Sequence, residues 1–172
     1  MQRNPIARRS FASACVAMLL ALSTAGCGFQ PRGQATSLAG LPSPLHVSGV
    51  DPYSTLRREL EQQLRIAGVQ LSAGAADSAA VLHVSNWTSD ARLLSVNSRN
   101  KAVEYELEES ASFRLRANDG RELVAEQAVR VVRIQYRPEV AVLGSEKEAE
   151  LLRKDMRKDL AGRIVRRLAA RH

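Results

Sequence analysis

The stretch AVEYELEESASFRLRANDGRELVAEQAVRVVRIQY, residues 102–136, decides the fold. Val103, Tyr105, Leu107, Ala111, Phe113 and Leu115 fall on one parity, and Glu104, Glu106, Glu108, Ser110, Ser112, Arg114 and Arg116 on the other. Successive side chains of a strand point to opposite faces, so this pattern predicts a long strand, apolar on one side and polar on the other. Asp119-Gly120 is the signal for a two-residue hairpin turn of the primed type. Folding residues 121–136 back on that turn sets Leu115 against Val124, Leu107 against Val132 and Tyr105 against Ile134, with Glu106 meeting Arg133 on the polar face. Glu109 and Arg130 then pair on the otherwise apolar face. Phe113 against Glu126 is a poor match that a local bulge or fraying would explain. One face buried and one wet is the pattern of an antiparallel sheet covered on a single side.

Two helical stripes supply the cover. Leu56, Leu60 and Leu64 recur every four residues, extended by Ile66 and Ala67, while Arg57, Arg58, Glu61 and Gln62 fall outside the stripe. Asp51 and Pro52 suit a cap and first helical position, and Gly68 suits a left-handed C-terminal cap, which places a helix at about 53–67. Ser145 with Glu148 forms a capping box opening a second helix that runs to about Ala170. Its stripe is Leu152, Met156, Leu160, Ile164 and Leu168, widened by Leu151 and Val165; its last turns carry Arg163, Arg166, Arg167 and Arg171, favourable at the negative end of a helix. Residues 45–50 read as a short first strand and 80–87 as an inner strand. The order is β-α-β-β-β-α: an α+β two-layer sandwich, two helices packed on one face of a mixed, mainly antiparallel four-stranded sheet.

The N-terminal end reads differently. Arg3, Arg8 and Arg9 precede the run FASACVAMLLALSTA at 11–25, with no acidic residue in the first 26. The run is shorter than the roughly 20 apolar residues of a membrane-spanning helix, and its layout is that of a secretory signal peptide. Ala25-Gly26-Cys27 resembles the end of a bacterial lipobox, with Thr24 where leucine is usual. The resemblance implies cleavage there, with Cys27 as the lipidated first residue, and, with Gly28 in place of aspartate, outer-membrane sorting. Cys15 leaves with the signal, and an acylated Cys27 leaves no thiol for a disulfide or a metal. The expected organisation is a signal peptide at 1–26, a lipidated tether at 27–44 with three prolines and three glycines, and one domain at 45–172. Losing three arginines with the signal lowers the formal charge from +7 to +4. That mild basicity and only seven aromatic residues, Trp 1, Tyr 3 and Phe 3, argue against nucleic acid and suit acidic lipid headgroups better.

Catalytic patterns are missing. His46, His83 and His172 have no partner at ligand spacing, and there is no phosphate-cradling glycine loop, Gly-x-Ser-x-Gly or metal motif. The row Glu104, Glu106, Glu108 reads as a solvated strand face rather than paired catalytic acids. No enzyme activity, cofactor or metal is expected. Two basic sites remain: the loop 96–101 with Arg99 and Lys101, near Arg92, and Lys147 at the start of the last helix. Solvated charge is the plain reading; an anionic glycolipid headgroup held by charge-assisted contacts is the sharper one.

Cys27-Gly28-Phe29 with Pro31-Arg32-Gly33, Asp51-Pro52-Tyr53-Ser54 with Leu56, QLRIAGV at 63–69, VEYEL at 103–107 and AVLGSEKEAELLRKDMRKDLAGRIVRRL at 141–168 occur in that order. The ordered set resembles the LPS-assembly lipoprotein (LptE) family. The resemblance implies a non-enzymatic outer-membrane lipoprotein, lipid-anchored and periplasm-facing. It implies a plug in the lumen of an outer-membrane β-barrel translocon protein (LptD-like), helping that barrel fold and binding lipopolysaccharide. Arg99, Lys101 and Lys147 are neighbours of the family's basic positions and are the candidate lipopolysaccharide contacts. The competing readings are an auxiliary or solute-binding lipoprotein of a lipid ABC transporter, and a periplasmic hydrolase.

Overall fold

A computed structural model of the chain describes residues 38, 40–137 and 142–170, with side chains in the last helix from residue 146 onward. The expected signal peptide, Cys15, Cys27, Arg171, His172 and the side chain of Ser145 lie outside the described residues. The elements are β1 (Leu45–Ser48), α1 (Thr55–Ile66), β2 (Ala80–Val96), β3 (Ala102–Ala117), β4 (Glu122–Tyr136) and α2 (Val142–Ala169). The sheet order is β1-β2-β3-β4, with β1 parallel to β2 and the other pairs antiparallel. The expected β-α-β-β-β-α sandwich is what forms.

Helix α1 starts two residues later than the sequence pattern suggests. Asp51 Oδ1 accepts the amide of Tyr53 at 2.7 Å, closing a turn of its own, and Ser54 is the N-cap, accepting from the amide of Arg57 at 3.2 Å. An aspartate side chain bonding two residues ahead competes with capping, so Asp51 and Pro52 precede the helix. At the other end Gly68, with φ of 88°, donates to the Arg65 carbonyl and Val69 to that of Leu64, the paired bonds of a Schellman motif. Leu56, Leu60 and Leu64 are fully buried, each contributing about 1.5–3 kcal/mol of burial. Ala67 is buried with them, whereas Ile66 points to solvent. Leu38 and Leu41 are buried too, and the Leu38 amide donates to the Ala67 carbonyl at 3.1 Å. The chain ahead of β1 is therefore pinned to the end of α1.

The long hairpin departs from the expected register in an instructive way. Only Gly120 in the turn has positive φ, the Gly120 amide donates to the Ala117 carbonyl, and Ala117 pairs with Arg121. This is a three-residue loop ending in a left-handed glycine rather than a two-residue primed turn. The Arg121 amide donates to Asp119 Oδ1 at 2.9 Å, which favours that geometry. Leu115 faces Val124 as expected, but irregularities on either side of that pair add residues to β4. Beyond them Phe113 faces Gln127, Glu109 faces Val131, Leu107 faces Arg133, Glu106 faces Ile134 and Tyr105 faces Gln135. The pairings Tyr105–Ile134, Leu107–Val132, Glu106–Arg133, Glu109–Arg130 and Phe113–Glu126 are thus each one residue out. A one-residue slip exchanges the faces. Val129, Val131 and Gln135 point inward, and Ile134 stands 65% exposed on the outer side.

Strand β2 continues nine residues beyond the expected end at Trp87. A bulge with Asn86 at φ 52° sets Asn86 and Trp87 against Ala111 and reverses the parity of β2. Before it Ala80, Leu82 and Val84 face inward; after it the inner positions are Ser89 and Ala91, opposite Glu109 and Leu107. Loss of a continuous alternation hid the second half of this strand.

Helix α2 begins at Val142, so Ser145 does not open it. Met156, Leu160, Ala161, Ile164, Val165 and Leu168 are buried against the sheet and α1, Leu152 is half-buried, and Leu151 is turned to solvent. The same helix guards the sheet margin at β4: Arg163 Nη1 donates to the Arg130 carbonyl at 3.0 Å and Arg167 Nη1 to the Ala128 carbonyl at 2.6 Å. Unpaired strand edges invite foreign pairing, and these guanidinium groups occupy part of this one.

The register has a direct test. Phe113→Ala is expected to cost about 3–5 kcal/mol in urea unfolding. Ile134→Ala is expected to change stability by no more than about 0.5 kcal/mol. A large loss at Ile134 would restore the unbulged hairpin.

Candidate functional site

Polar side chains gather in several regions among the described residues. The first is the outer sheet face. Arg92 Nη2 bonds Glu106 Oε1 at 3.0 Å and Arg130 lies 3.5 Å from Glu108; nearer the turn Arg114 meets Glu126 at 4.0 Å and Arg116 meets Glu122 at 3.9 Å. Ser95 donates to Glu104 at 2.6 Å, and the hydroxyls of Thr88 and Ser110 share a bond of 2.8 Å. Asp90, Arg92, Glu106, Glu108 and Arg130 line a shallow hollow of about 330 Å³. The glutamate row has its partners in neighbouring strands, as opposite charges across a sheet favour. Glu106 is held by Arg92 of β2. Arg133, its expected partner, lies on the inner side and pairs with Asp159 of α2.

The second region is the far end of the β2–β3–β4 ribbon. Asn97 organises the loop: its Oδ1 accepts the amides of Arg99 at 2.9 Å and Lys101 at 3.0 Å, and its own amide donates to the Lys101 carbonyl at 2.8 Å. Asn100 takes φ of 59°, tolerable for asparagine. Arg99 and Lys101 are both exposed on this loop. Lys147 lies early in α2 and pairs with Glu150 of its own helix at 3.3 Å. Toward this end of the ribbon Leu93, Leu94, Val96, Ile134 and Tyr136 are exposed, Leu93 on the inner face opposite Tyr105 and Ile134 and Tyr136 on the outer face. The sequence reading identified the basic residues but missed this apolar surround. Ile134 reached it through the register shift, and Leu93 and Leu94 through the extension of β2.

The third region is interior. Glu109 is 0% exposed and lies under α2. Trp87 Nε1 donates to Glu109 Oε2 at 2.8 Å, Ser89 Oγ donates to Oε1 at 2.7 Å, and Arg157 Nε donates to Oε1 at 3.2 Å. The Arg157 guanidinium also stands 5.6 Å from the centre of the Trp87 ring, a cation–π distance, and Arg153 donates to Ser89. A charged residue on the apolar parity of β3 was the visible signal. Its true partner, 48 residues along the chain on another element, was not. Arg130, the partner expected from the hairpin alone, faces outward to Glu108.

Two histidines serve the framework: His46 Nδ1 donates to the Ser72 carbonyl at 3.2 Å, and His83 shares a bond with Ser48 at 3.1 Å. Among the described residues no group of three or more His, Cys, Asp or Glu is arranged to hold a metal, and no helix is long and apolar enough to cross a membrane.

Comparison with known proteins agrees with the layout. A family model described as LptE, lipopolysaccharide-assembly, matches residues 43–168. The chain is 31% identical over 154 residues to the LPS-assembly lipoprotein LptE of Photorhabdus laumondii, covering 90% of this chain and 83% of that one. It is 30% identical to the protein of the same name from Yersinia pestis, covering 90% and 73%. Among solved structures it is similar to an uncharacterized lipoprotein B from Nitrosomonas europaea, at a TM-score of 0.68 and 26% identity over 83% of this chain and 91% of that one. It is also similar to the rare lipoprotein B from Shewanella oneidensis, at 0.63 and 26% over 73% and 93%.

The interior clamp predicts a stability effect. Arg157→Met leaves the Glu109 carboxylate buried without a countercharge and is expected to cost about 3–5 kcal/mol. Urea unfolding followed by the emission of Trp87, the single tryptophan of the chain, reads it.

Proposed function

We propose, because the chain belongs to the lipopolysaccharide-assembly (LptE) family, that it is a non-enzymatic outer-membrane lipoprotein of lipopolysaccharide assembly. It plugs the lumen of a lipopolysaccharide-translocating β-barrel and assists that barrel's assembly. The observation that carries this reading is the family match from 43 to 168, which spans both layers of the sandwich. The outer sheet face supports the plug: Glu106, Glu108, Glu122 and Glu126 find arginine partners within the sheet, so a wet barrel wall can lie against these pairs without supplying their countercharges. Cys27 is the lipidated residue, reached through the cleavage at the lipobox, and its acyl chains hold the protein to the membrane at about 0.8 kcal/mol per buried methylene. The residues between Cys27 and Leu38 tether it to the domain, whose core the chain has joined by Leu38 and Leu41.

Lipopolysaccharide binding is the second property. Arg99 and Lys101 on the loop face the phosphorylated sugars, and the exposed Leu93, Leu94 and Val96 beside them meet the acyl chains. Lys147, engaged with Glu150 in its own helix, adds charge to the same ligand.

The lipidated chain is expected to co-purify with a large β-barrel, and Cys27→Ser to take up no labelled fatty acid. Fractionation with an inner-membrane transporter would favour the ABC-transporter reading instead. Photocrosslinkers at 95–101 are expected to trap lipopolysaccharide, and Arg99→Glu with Lys101→Glu to lower that yield by about tenfold or more. An unchanged yield would remove these two residues from the contact.

A further inference from the structure

The two halves of β4 differ along its outer edge. The Arg137 amide donates to the Val103 carbonyl at 2.7 Å, so the odd-numbered residues of β4 exchange ladder bonds with β3 from Val129 onward. The even-numbered residues therefore turn their amides and carbonyls away from β3, toward the margin of the sheet. The lower half of that margin is taken: α2 places Arg167 on the Ala128 carbonyl and Arg163 on that of Arg130. At Val132 the neighbouring Arg133 Nη1 reaches the carbonyl at 3.3 Å. Above it, Ile134 and Tyr136 have outward backbone groups that no described residue meets, and their side chains are 65% and 59% exposed.

A row of unmet backbone groups selects its occupant, because only another extended chain presents amides and carbonyls at the strand spacing. The side chains narrow the choice. Val132, Ile134 and Tyr136 lie on the outer face and ask for apolar neighbours. On the inner face stand the guanidinium groups of Arg133, paired with Asp159, and Arg137, 4.8 Å from the Tyr105 ring centre. Lipid offers no matching backbone, and the blocked lower half limits the added strand to the segment beside 132–136.

We infer that β4 at 132–136 accepts a short extended segment of the barrel partner as a fifth strand, apolar toward Ile134 and Tyr136 and polar or acidic toward Arg133 and Arg137. This rests on the barrel-plug reading and gives it a defined point of attachment. Helix α2 restricts pairing to one end of the edge, which fixes where the partner chain joins.

The test uses the full-length lipidated chain co-expressed and purified with its barrel. Amide hydrogen exchange of Ile134 and Tyr136 is expected to slow by about 100-fold or more on passing from the free chain to the complex. Ile134→Pro removes an outward amide and leaves the ladder to β3 intact, since proline is tolerated on an edge strand where its nitrogen faces away from the sheet. This variant is expected to lower the retained barrel by about tenfold while keeping the unfolding midpoint of the free chain. If it fails to fold, the exchange measurement on the unsubstituted chain still decides. Retained barrel with unprotected amides at 134 and 136 overturns the fifth strand alone. A chain that retains no barrel overturns the plug reading, and the fifth strand with it.

Discussion

Helix α2 has to do two incompatible things along one face. Its C-terminal half brings Leu160, Ile164 and Leu168 onto the apolar floor built by Phe113, Leu115 and their neighbours. Its middle, at Arg157, lies over Glu109, a carboxylate with no access to water. An ion removed from water is costly unless its oxygens are fully engaged. Here an indole, a hydroxyl and a guanidinium engage them, one from each of Trp87, Ser89 and Arg157. Two elements thus meet at a single acceptor: β2 supplies Trp87 and Ser89 by way of the bulge at Asn86, and α2 supplies Arg157. Greasy contacts tolerate sliding; three directional bonds to one carboxylate do not. The position of the helix along the sheet follows from that geometry.

The same logic extends outward. Arginines of α2 at 157, 163 and 167 point to Glu109, to the Arg130 carbonyl and to the Ala128 carbonyl in turn, and Asp159 engages Arg133. Two of the arginines near the end of the last helix, Arg163 and Arg167, hold helix to strand at the exposed margin of the sheet. On the other side of the sheet, ion pairs between strands neutralise the charges in place. At the far end of the ribbon lie the basic loop and the exposed Leu94, Val96, Ile134 and Tyr136, next to the part of β4 whose outward backbone groups no described residue meets.

Much of this was readable before any coordinates. The alternation of β3, the four-residue leucine spacing of α1 and the stripe of α2 are local patterns. Each reports its own exposed and buried sides without reference to a partner. Gly68 and Gly120 marked the places where the chain needs a left-handed residue, and both have positive φ. The misreadings of strand register have one cause. At Asn86, and again on either side of Leu115, the ladder carries residues that the opposite strand does not match. A bulge leaves composition untouched but reverses parity beyond it, so Ile134 seemed to belong in the core and Arg133 on the surface. Glu109 was visible as a charge on the wrong parity, yet the hairpin alone offered only Arg130.

What the sequence determined by itself was the set of elements, their order and the apolar side of β3 and of each helix, because these depend on neighbours within a turn or a strand. The tertiary structure alone decided the register of β4, the burial of Glu109 against Trp87 and Arg157, and which part of the sheet margin α2 leaves open. Those outcomes depend on contacts between residues far apart in the chain, where a single inserted residue changes which side chain meets which and no local pattern records it.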